Sequence, residues 1–387
     1  MAHYKFFENR LIRHSISPVS IRTFTVPRRQ PSFDFVTCTR SFRYHLCLFT
    51  IMMFSSLKHS LVCAISIVFF ILVDPNLITE NMVLGGKDEL NSVKYCFKFK
   101  WGSEGTSSGQ FLRPHDVNFD SKGNVYVSDR DRNDIQKFTP NGTFIMKWGS
   151  EGEKAGQFNV PYSIEIDPLD NIYVVDRGND RIQKFDENGT FVKQWDRPSK
   201  INGSDQEFAS PEDMVIDQKT GIVYITDTGN ERVLKLDKNF SYILEWGSDD
   251  GKESNELGRF NHPHGIDVDS KGYVYVNELE NPRIQKFDEN GTFLKEWGSK
   301  GKGPGEFTPL LEHLEVDSKQ DMIFMVDGAL NPRIQVFDTD GNFTTIIGTS
   351  GTGDGQFSKP EHVNIDSSGN VYVVDRGNQR MQVFSHC

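Results

Sequence analysis

Residues 156–191 read GQFNVPYSIEIDPLDNIYVVDRGNDRIQKFDENGTF, and this stretch decides the fold. Within it IEID, NIYVVD and RIQKFD are short runs rich in Ile, Val, Tyr and Phe, each ended by turn residues. FVKQW, starting at Phe191, adds a fourth. Four such runs in sequence predict one four-stranded antiparallel sheet.

Outward from this stretch the same unit repeats. The aromatic ending the fourth run falls at Trp101, Trp148, Trp195, Trp246 and Trp297, with Ile347 in the sixth slot. The polar residue closing the second run falls at Asp129, Asp176, Asp227, Asn277, Asp327 and Asp375. Both series advance by about fifty residues, the period of a propeller blade. One blade cannot bury both of its faces, so blades must pack face to face, and closing them into a ring removes the exposed ends. The expectation is an all-β, six-bladed β-propeller.

The chain ends supply the closure. The sixth unit stops after its third run, Arg380 to Phe384, while CFKFKW at residues 96–101 is a fourth run without predecessors. The N-terminal strand is therefore expected to complete the C-terminal blade. Cys96 and Cys387 then fall in one hairpin region, which predicts a disulfide clamping the ring in an oxidising compartment.

Residues 1–94 lie outside the repeat. Residues 1–52 form a basic extension, with eight Lys and Arg against Glu8 and Asp34, that the mature protein need not retain. From Met53, a short positive region precedes the largely apolar run Leu61 to Val73. That run has the length of a signal-peptide core and is short for a span of about twenty residues. No A-x-A-like cleavage site follows, so two readings of residues 53–73 stay open: a cleaved signal peptide and an uncleaved membrane anchor. In both, the positive flank stays inside and the propeller, residues 95–387, lies outside the cell or on its surface. Residues 74–94 read as a linker.

The chain carries 43 basic and 54 acidic side chains, and residues 95–387 hold 32 and 48 of them, a balance of −16. An acidic domain is a poor phosphate binder, which argues against nucleic acid as a partner. Arg130, Arg132 and Arg177 form the local basic group. Six N-x-S/T sequons occur, at Asn141, Asn188, Asn202, Asn239, Asn290 and Asn342. Each is a candidate glycan acceptor outside the cell. Hairpin chemistry is the stronger explanation: four of the six fall in the loop between the third and fourth runs, where Asn and Gly supply positive φ and Thr begins a strand.

At PYSIEIDPLDNIYVVDRGNDRIQKFDENG, PHDVNFDSKGNVYVSDRDRNDIQKF and PEHVNIDSSGNVYVVDRGNQRMQVF the chain resembles the NHL repeat family. The resemblance covers residues 97–387 and implies a six-bladed propeller, the count reached above from spacing. Some members of that family bind RNA or protein, and some are joined to ubiquitin-ligase modules. The five cysteines here, at 38, 47, 63, 96 and 387, have no C-x-x-C spacing, which sets ligase chemistry aside. The resemblance also extends distantly to peptidyl-hydroxyglycine amidating lyase, whose zinc is held by histidines of Pro-His motifs in alternate blades. This chain has that motif at Pro114-His115 and Pro263-His264, in blades one and four. The lyase's tyrosine after the second strand has no counterpart.

The start of each innermost strand gives the candidate site. Its first position reads His115, Tyr162, Glu212, His264, Glu312 and Glu361, and the next reads Asp116, Ser163, Asp213, Gly265, His313 and His362. All twelve precede the innermost strand and are expected to gather at the mouth of the central channel. Imidazoles and carboxylates converging on an axis suit zinc or calcium, with His115, Glu212, His264, Glu312 and Glu361 as the candidate ligands. The other reading is a solvated polar funnel. Arg181, Arg232, Arg283, Arg333 and Arg380 have the spacing for ion pairs or carbonyl contacts between blades. The functional expectation is a monomeric binding module for a protein or small molecule at this mouth. A metal-dependent lyase or hydrolase is the alternative.

Overall fold

The computed structural model describes residues 94–198, 207–248, 251–328 and 330–387, and the backbone of three short strands, Val36–Cys38, Leu46–Ile51 and Ile67–Leu72. Those three pair antiparallel in sequence order within a unit that ends at Asp88. The readings of residues 1–52, 53–73 and 74–94 otherwise lie outside the described residues. No helix among the described residues is long and apolar enough to cross a membrane.

The second unit, Glu89–Cys387, is the propeller. Blade one comprises Pro114–Phe119, Val125–Asp129, Asp134–Phe138 and Phe144–Trp148. Blade two comprises Pro161–Ile166, Ile172–Asp176, Arg181–Phe185 and Phe191–Trp195. Blades three, four and five begin at Pro211, Pro263 and Leu311 and repeat the order of four adjacent antiparallel strands. Blade six takes Pro360–Ile365, Val371–Asp375 and Arg380–His386 from the C-terminus and Tyr95–Trp101 from the N-terminal side. The closing register runs from Met381 opposite Trp101 to His386 opposite Tyr95. A Cys96–Cys387 disulfide, with Cα atoms 5.8 Å apart, sits at the start of that pairing.

Burial follows the blade's own logic. Second strands are buried along nearly their whole length and are mainly apolar, closed by one acid, whereas fourth strands alternate and put charge outward at the rim. Six separate apolar clusters result, each made from two neighbouring blades; Tyr126 and Ile135 of blade one, for example, pack with Ile164, Ile172 and Phe185 of blade two. The third-to-fourth hairpins seat on the fourth-strand tryptophan of the preceding blade. A Cβ at Gly142 would lie 2.7 Å from the Trp101 ring, and one at Gly189 2.7 Å from that of Trp148, at φ of +83° and +72°. Glycine is required there by both space and backbone.

One position in the series of polar residues closing the second strand is corrected. In blade four the acid closing the second strand is Glu278, which pairs with Pro263 as Asp129 pairs with Pro114. Asn277 takes the Ser128 slot one residue earlier.

The recurring arginine ties each blade to the connection that precedes it. Arg181 Nε donates to Asp176 Oδ2 at 2.7 Å, and its other nitrogens donate to the carbonyls of Glu153, Lys154 and Gln157. Arg283, Arg333 and Arg380 repeat the arrangement on their own acids. Blade one departs from it: Asp134 opens its third strand, and the guanidinium comes from Arg132, which reaches the carbonyls of Gly105, Ser107 and Gln110.

Candidate functional site at the channel mouth

Meander order fixes which loops meet at each end of the channel. First-to-second turns and third-to-fourth hairpins share one face, and second-to-third turns and the blade-to-blade connections share the other, which is the mouth. The twelve sequence-predicted residues stand inside the inner strands, at their first turns of chain, rather than before them. In every blade the ladder slips there, between Pro114 and Val117 in blade one and between Pro360 and His362 in blade six. Such a bulge re-aims side chains, and consecutive residues, His115 with Asp116 and Glu212 with Asp213, line the same cavity.

The upper ring is His115, Tyr162, Glu212, His264, Glu312 and Glu361. Arginines on the turns above it interleave with the ring. Arg177 Nε donates to Glu212 Oε1 at 2.9 Å, and Arg376 pairs with Glu361. Arg130 lies over the Tyr162 ring at 4.2 Å, and the His115 ring meets the same tyrosine at 3.9 Å. Burial, then Arg130 and neighbouring imidazoles, hold His115 well below the usual histidine range, so it is neutral at pH 7. Burial, then Glu361, push the Glu312 carboxyl well above the usual carboxylate range.

The ring below joins two imidazole–carboxylate pairs. His313 Nε2 lies 3.0 Å from Asp213 Oδ2, His362 Nε2 lies 2.9 Å from Asp116 Oδ1, and the two imidazoles stack at 3.5 Å between centroids. Each acid also accepts the backbone N–H of the next blade's inner strand, Ile164 for Asp116 and Ile266 for Asp213. Burial pushes Asp116 up to about 8 and His362 down to about 3, so that pair is predominantly neutral. These residues hold blades together as well as lining the axis.

A third layer was not legible in the ruler positions. Glu165, Asp267 and Glu315 stand two or three residues further along their strands and line a cavity of about 370 Å³ that reaches Asp217, Lys219, Ser270 and Ser318 on the opposite face. Burial pushes Asp267 up to about 7 and Glu165 and Glu315 well above the usual range.

Between the upper two rings a cavity of about 10 Å³, the size of one water, is lined by His115, His264, His313, His362, Glu212, Asp116 and Asp213. The sequence-predicted ligands His115, Glu212 and His264 thus meet at one cavity, whereas Glu312 and Glu361 are not among its lining residues. Their atoms do not close on one point. His264 Nε2 is 3.5 Å from Glu212 Oε2, and His115 Nε2 is 3.9 Å from Glu361 Oε2. Among the described residues the only group of three with ligand atoms within 4.8 Å of one another is Glu231, Glu253 and His262, away from the axis. In the channel set no three ligand atoms lie within 4.8 Å of one another, and in the Glu231 group Glu231 Oε2 also accepts the His262 backbone N–H at 2.7 Å.

Sequence reasoning placed Arg130 and Arg177 in a basic group but missed their neighbours Arg113 and Arg376. The structure divides that group: Arg132 belongs to the blade tie, and Arg130 and Arg177 belong to the mouth.

Comparison with known proteins agrees with the architecture. A family profile described as "6-bladed beta-propeller" matches residues 251–331 and 315–386, and the NHL repeat profile matches residues 111–138. Peptidyl-glycine alpha-amidating monooxygenase A of Xenopus laevis is 34% identical over 98 residues, 24% of this chain and 10% of that protein. NHL repeat-containing protein 3 of Homo sapiens is 32% identical over 111 residues, 27% of this chain and 30% of its own length. The matches therefore span under a third of these curated relatives. Among solved structures, a gluconolactonase from Xanthomonas campestris aligns with TM-score 0.53 at 13% identity over 72% of this chain and 88% of its own. Virginiamycin B lyase from Staphylococcus aureus aligns with TM-score 0.51 at 14% identity over 76% and 100%. Such identities speak to fold alone. With six blades in register and these two profile matches, the chain is a six-bladed β-propeller that carries an NHL-repeat match in blade one.

Proposed function

We propose that this propeller is an exported binding module that takes a ligand bearing an anionic group at its channel mouth. The observation that carries the reading is a set of buried donors with no hydrogen-bond partner: Arg113 Nε, Arg130 Nε and the one protonated nitrogen of the neutral His115 ring. Each such group costs about 1–3 kcal/mol if left unpaired, and a carboxylate or phosphate oxygen entering the mouth would satisfy them. Arg177 and Arg376 are occupied by Glu212 and Glu361, so the donors left over belong to blade one and its neighbours. Export is supported by the Cys96–Cys387 disulfide, since such bonds persist in oxidising compartments.

The test is a binding screen of carboxylate and phosphate compounds and acidic peptides against the full chain, with Arg130→Ala and His115→Ala as controls. Hits that survive both substitutions would place the ligand elsewhere. The alternative, a metal-dependent lyase or hydrolase, draws on the four imidazoles lining one cavity. Elemental analysis of the full chain before and after chelation separates the two: a stoichiometric metal lost on substituting His115 and His264 favours the enzyme.

A further inference from the structure

We propose that the protein is N-glycosylated at Asn141, Asn188, Asn239 and Asn290, on the face opposite the mouth. All four occupy the same third-to-fourth hairpin position, are exposed, and begin N-x-S/T sequons with no proline in the middle.

In blades two to four the hairpins explain their other residues but not these. Space and positive φ fall on the residue after the Asn: Gly142, Gly189 and Gly291 sit on tryptophan rings, and Phe240, at φ +63°, stacks on Trp195 at 4.0 Å. Turn capping falls on the residue two before the Asn. Asp186 Oδ1 accepts the N–H of Asn188 and of Thr190, and Asp237 and Asp288 do the same in their blades. Blade five builds the same hairpin with Asp340 in the Asn slot, capped by Asp338. In blades two to four the turn backbone bonds to neither the Asn side chain nor the hydroxyl two residues on, and in blade one Asn141 Oδ1 accepts the Thr143 N–H and the Thr139 and Thr143 hydroxyls without engaging the amide nitrogen that a sugar would take, yet the pair recurs in four blades. A glycan accounts for both. Asn342 is different: it lies two residues later, and its amide nitrogen already donates to Asp338 Oδ2 at 2.8 Å.

In the reaction the Asn side-chain nitrogen bonds to C1 of a sugar carried by a polyisoprenyl-diphosphate oligosaccharide. The C1–O bond to the diphosphate breaks, the diphosphate leaves with the electron pair, and one N–H proton passes to a base. Because strands alternate in direction, these hairpins all lie at the end away from Arg130 and His115. Glycans there would shield one face of the ring and leave the mouth bare. The inference rests on the export reading above.

The full chain is expressed in cultured animal cells. Protease protection of cells and medium reads its compartment, and peptide mapping after enzymatic glycan release in heavy-oxygen water reads each Asn. The expected result is exported protein with label at residues 141, 188, 239 and 290, none at Asn342, and loss of one gel step for each Asn→Gln substitution. Exported protein with four bare sites overturns the glycosylation while leaving export intact. Bare protein held in the cytosol overturns both. Label at Asn342 with the four hairpin sites empty overturns the argument from turn geometry.

Discussion

Removing the acid of one blade tie, Asp176→Ala, tests whether these ties hold the ring together. Asp176 is fully buried and accepts from four groups: the Asn159 N–H at 2.7 Å, Asn179 at 2.9 Å, Arg181 at 2.7 Å and Gln183 at 3.1 Å. Its loss strands the Arg181 guanidinium, itself only 5% exposed, among carbonyls. Breaking a buried pair from one side costs about 3–5 kcal/mol, because an uncompensated charge remains. Arg181→Ala is expected to cost about the same, since the carbonyls of Glu153 and Gln157 lose a donor along with the acid. The double substitution removes both charges, so it should cost less than the sum by about 1–3 kcal/mol. Urea unfolding of all four proteins, followed by tryptophan fluorescence under oxidising conditions, gives the cycle. A single-substitution cost under about 1 kcal/mol, or a double cost equal to the sum, would refute the reasoning.

Three further outcomes are expected. Cys387→Ser should cost up to about 5 kcal/mol, because the bridge closes a loop of 291 residues, and added reductant should lower wild-type stability to the same level while leaving the variant unchanged. Gly142→Ala combines a φ of +83° with a Cβ 2.7 Å from the Trp101 ring; a loss of about 2–4 kcal/mol is expected, against the backbone cost alone of about 1–2 kcal/mol for Gly156→Ala, where φ is +78° and nothing lies within 4 Å, and equal losses would remove the role of the ring. Finally, Glu315, Asp267 and Asp116 hold protons in the folded chain that the unfolded chain releases near pH 4. Native protein then binds more protons than unfolded, so their contribution to stability falls as pH rises from about 4 to about 8. His362, pushed down to about 3, acts in the opposite sense below about pH 6.5. Glu315→Gln should flatten the falling limb by up to about 1.4 kcal/mol per pH unit, and an unchanged slope in urea titrations at several pH values would mean that Glu315 is ionised.

The sequence carried the architecture because a blade is a local object. Its strands, turns and acids lie within fifty residues, and their repetition makes each position visible six times. The closure of blade six was legible for the same reason, as a strand missing at one end and spare at the other. Blade four shows the limit of such a ruler: one extra choice between Asn277 and Glu278 slipped by a residue, and only pairing with Pro263 resolves it. The site was less legible. His115, Glu212 and His264 could be placed on one axis from their strand positions, but whether their atoms converge depends on rotamers and on which acids are already engaged by neighbouring N–H groups. The mouth arginines were harder still. Arg376 lies on a turn of blade six, far in sequence from His115, and only ring closure brings it near that imidazole.

The borrowed strand in blade six also sets a waiting time. Tyr95–Trp101 is made first, and its partner Arg380–His386 follows almost three hundred residues later. At a synthesis rate of about 5–20 residues per second the first strand spends about 15–60 s as an open edge. Five of its seven residues are Tyr, Cys, Phe or Trp, a composition that invites pairing with other chains. Lys98 and Lys100, alternating with Phe97, Phe99 and Trp101, put positive charge along one side of that edge, and in the finished ring they stay in solvent, where they reach Asn370 and Asp354. The two lysines thus guard the nascent chain as much as they decorate the folded one.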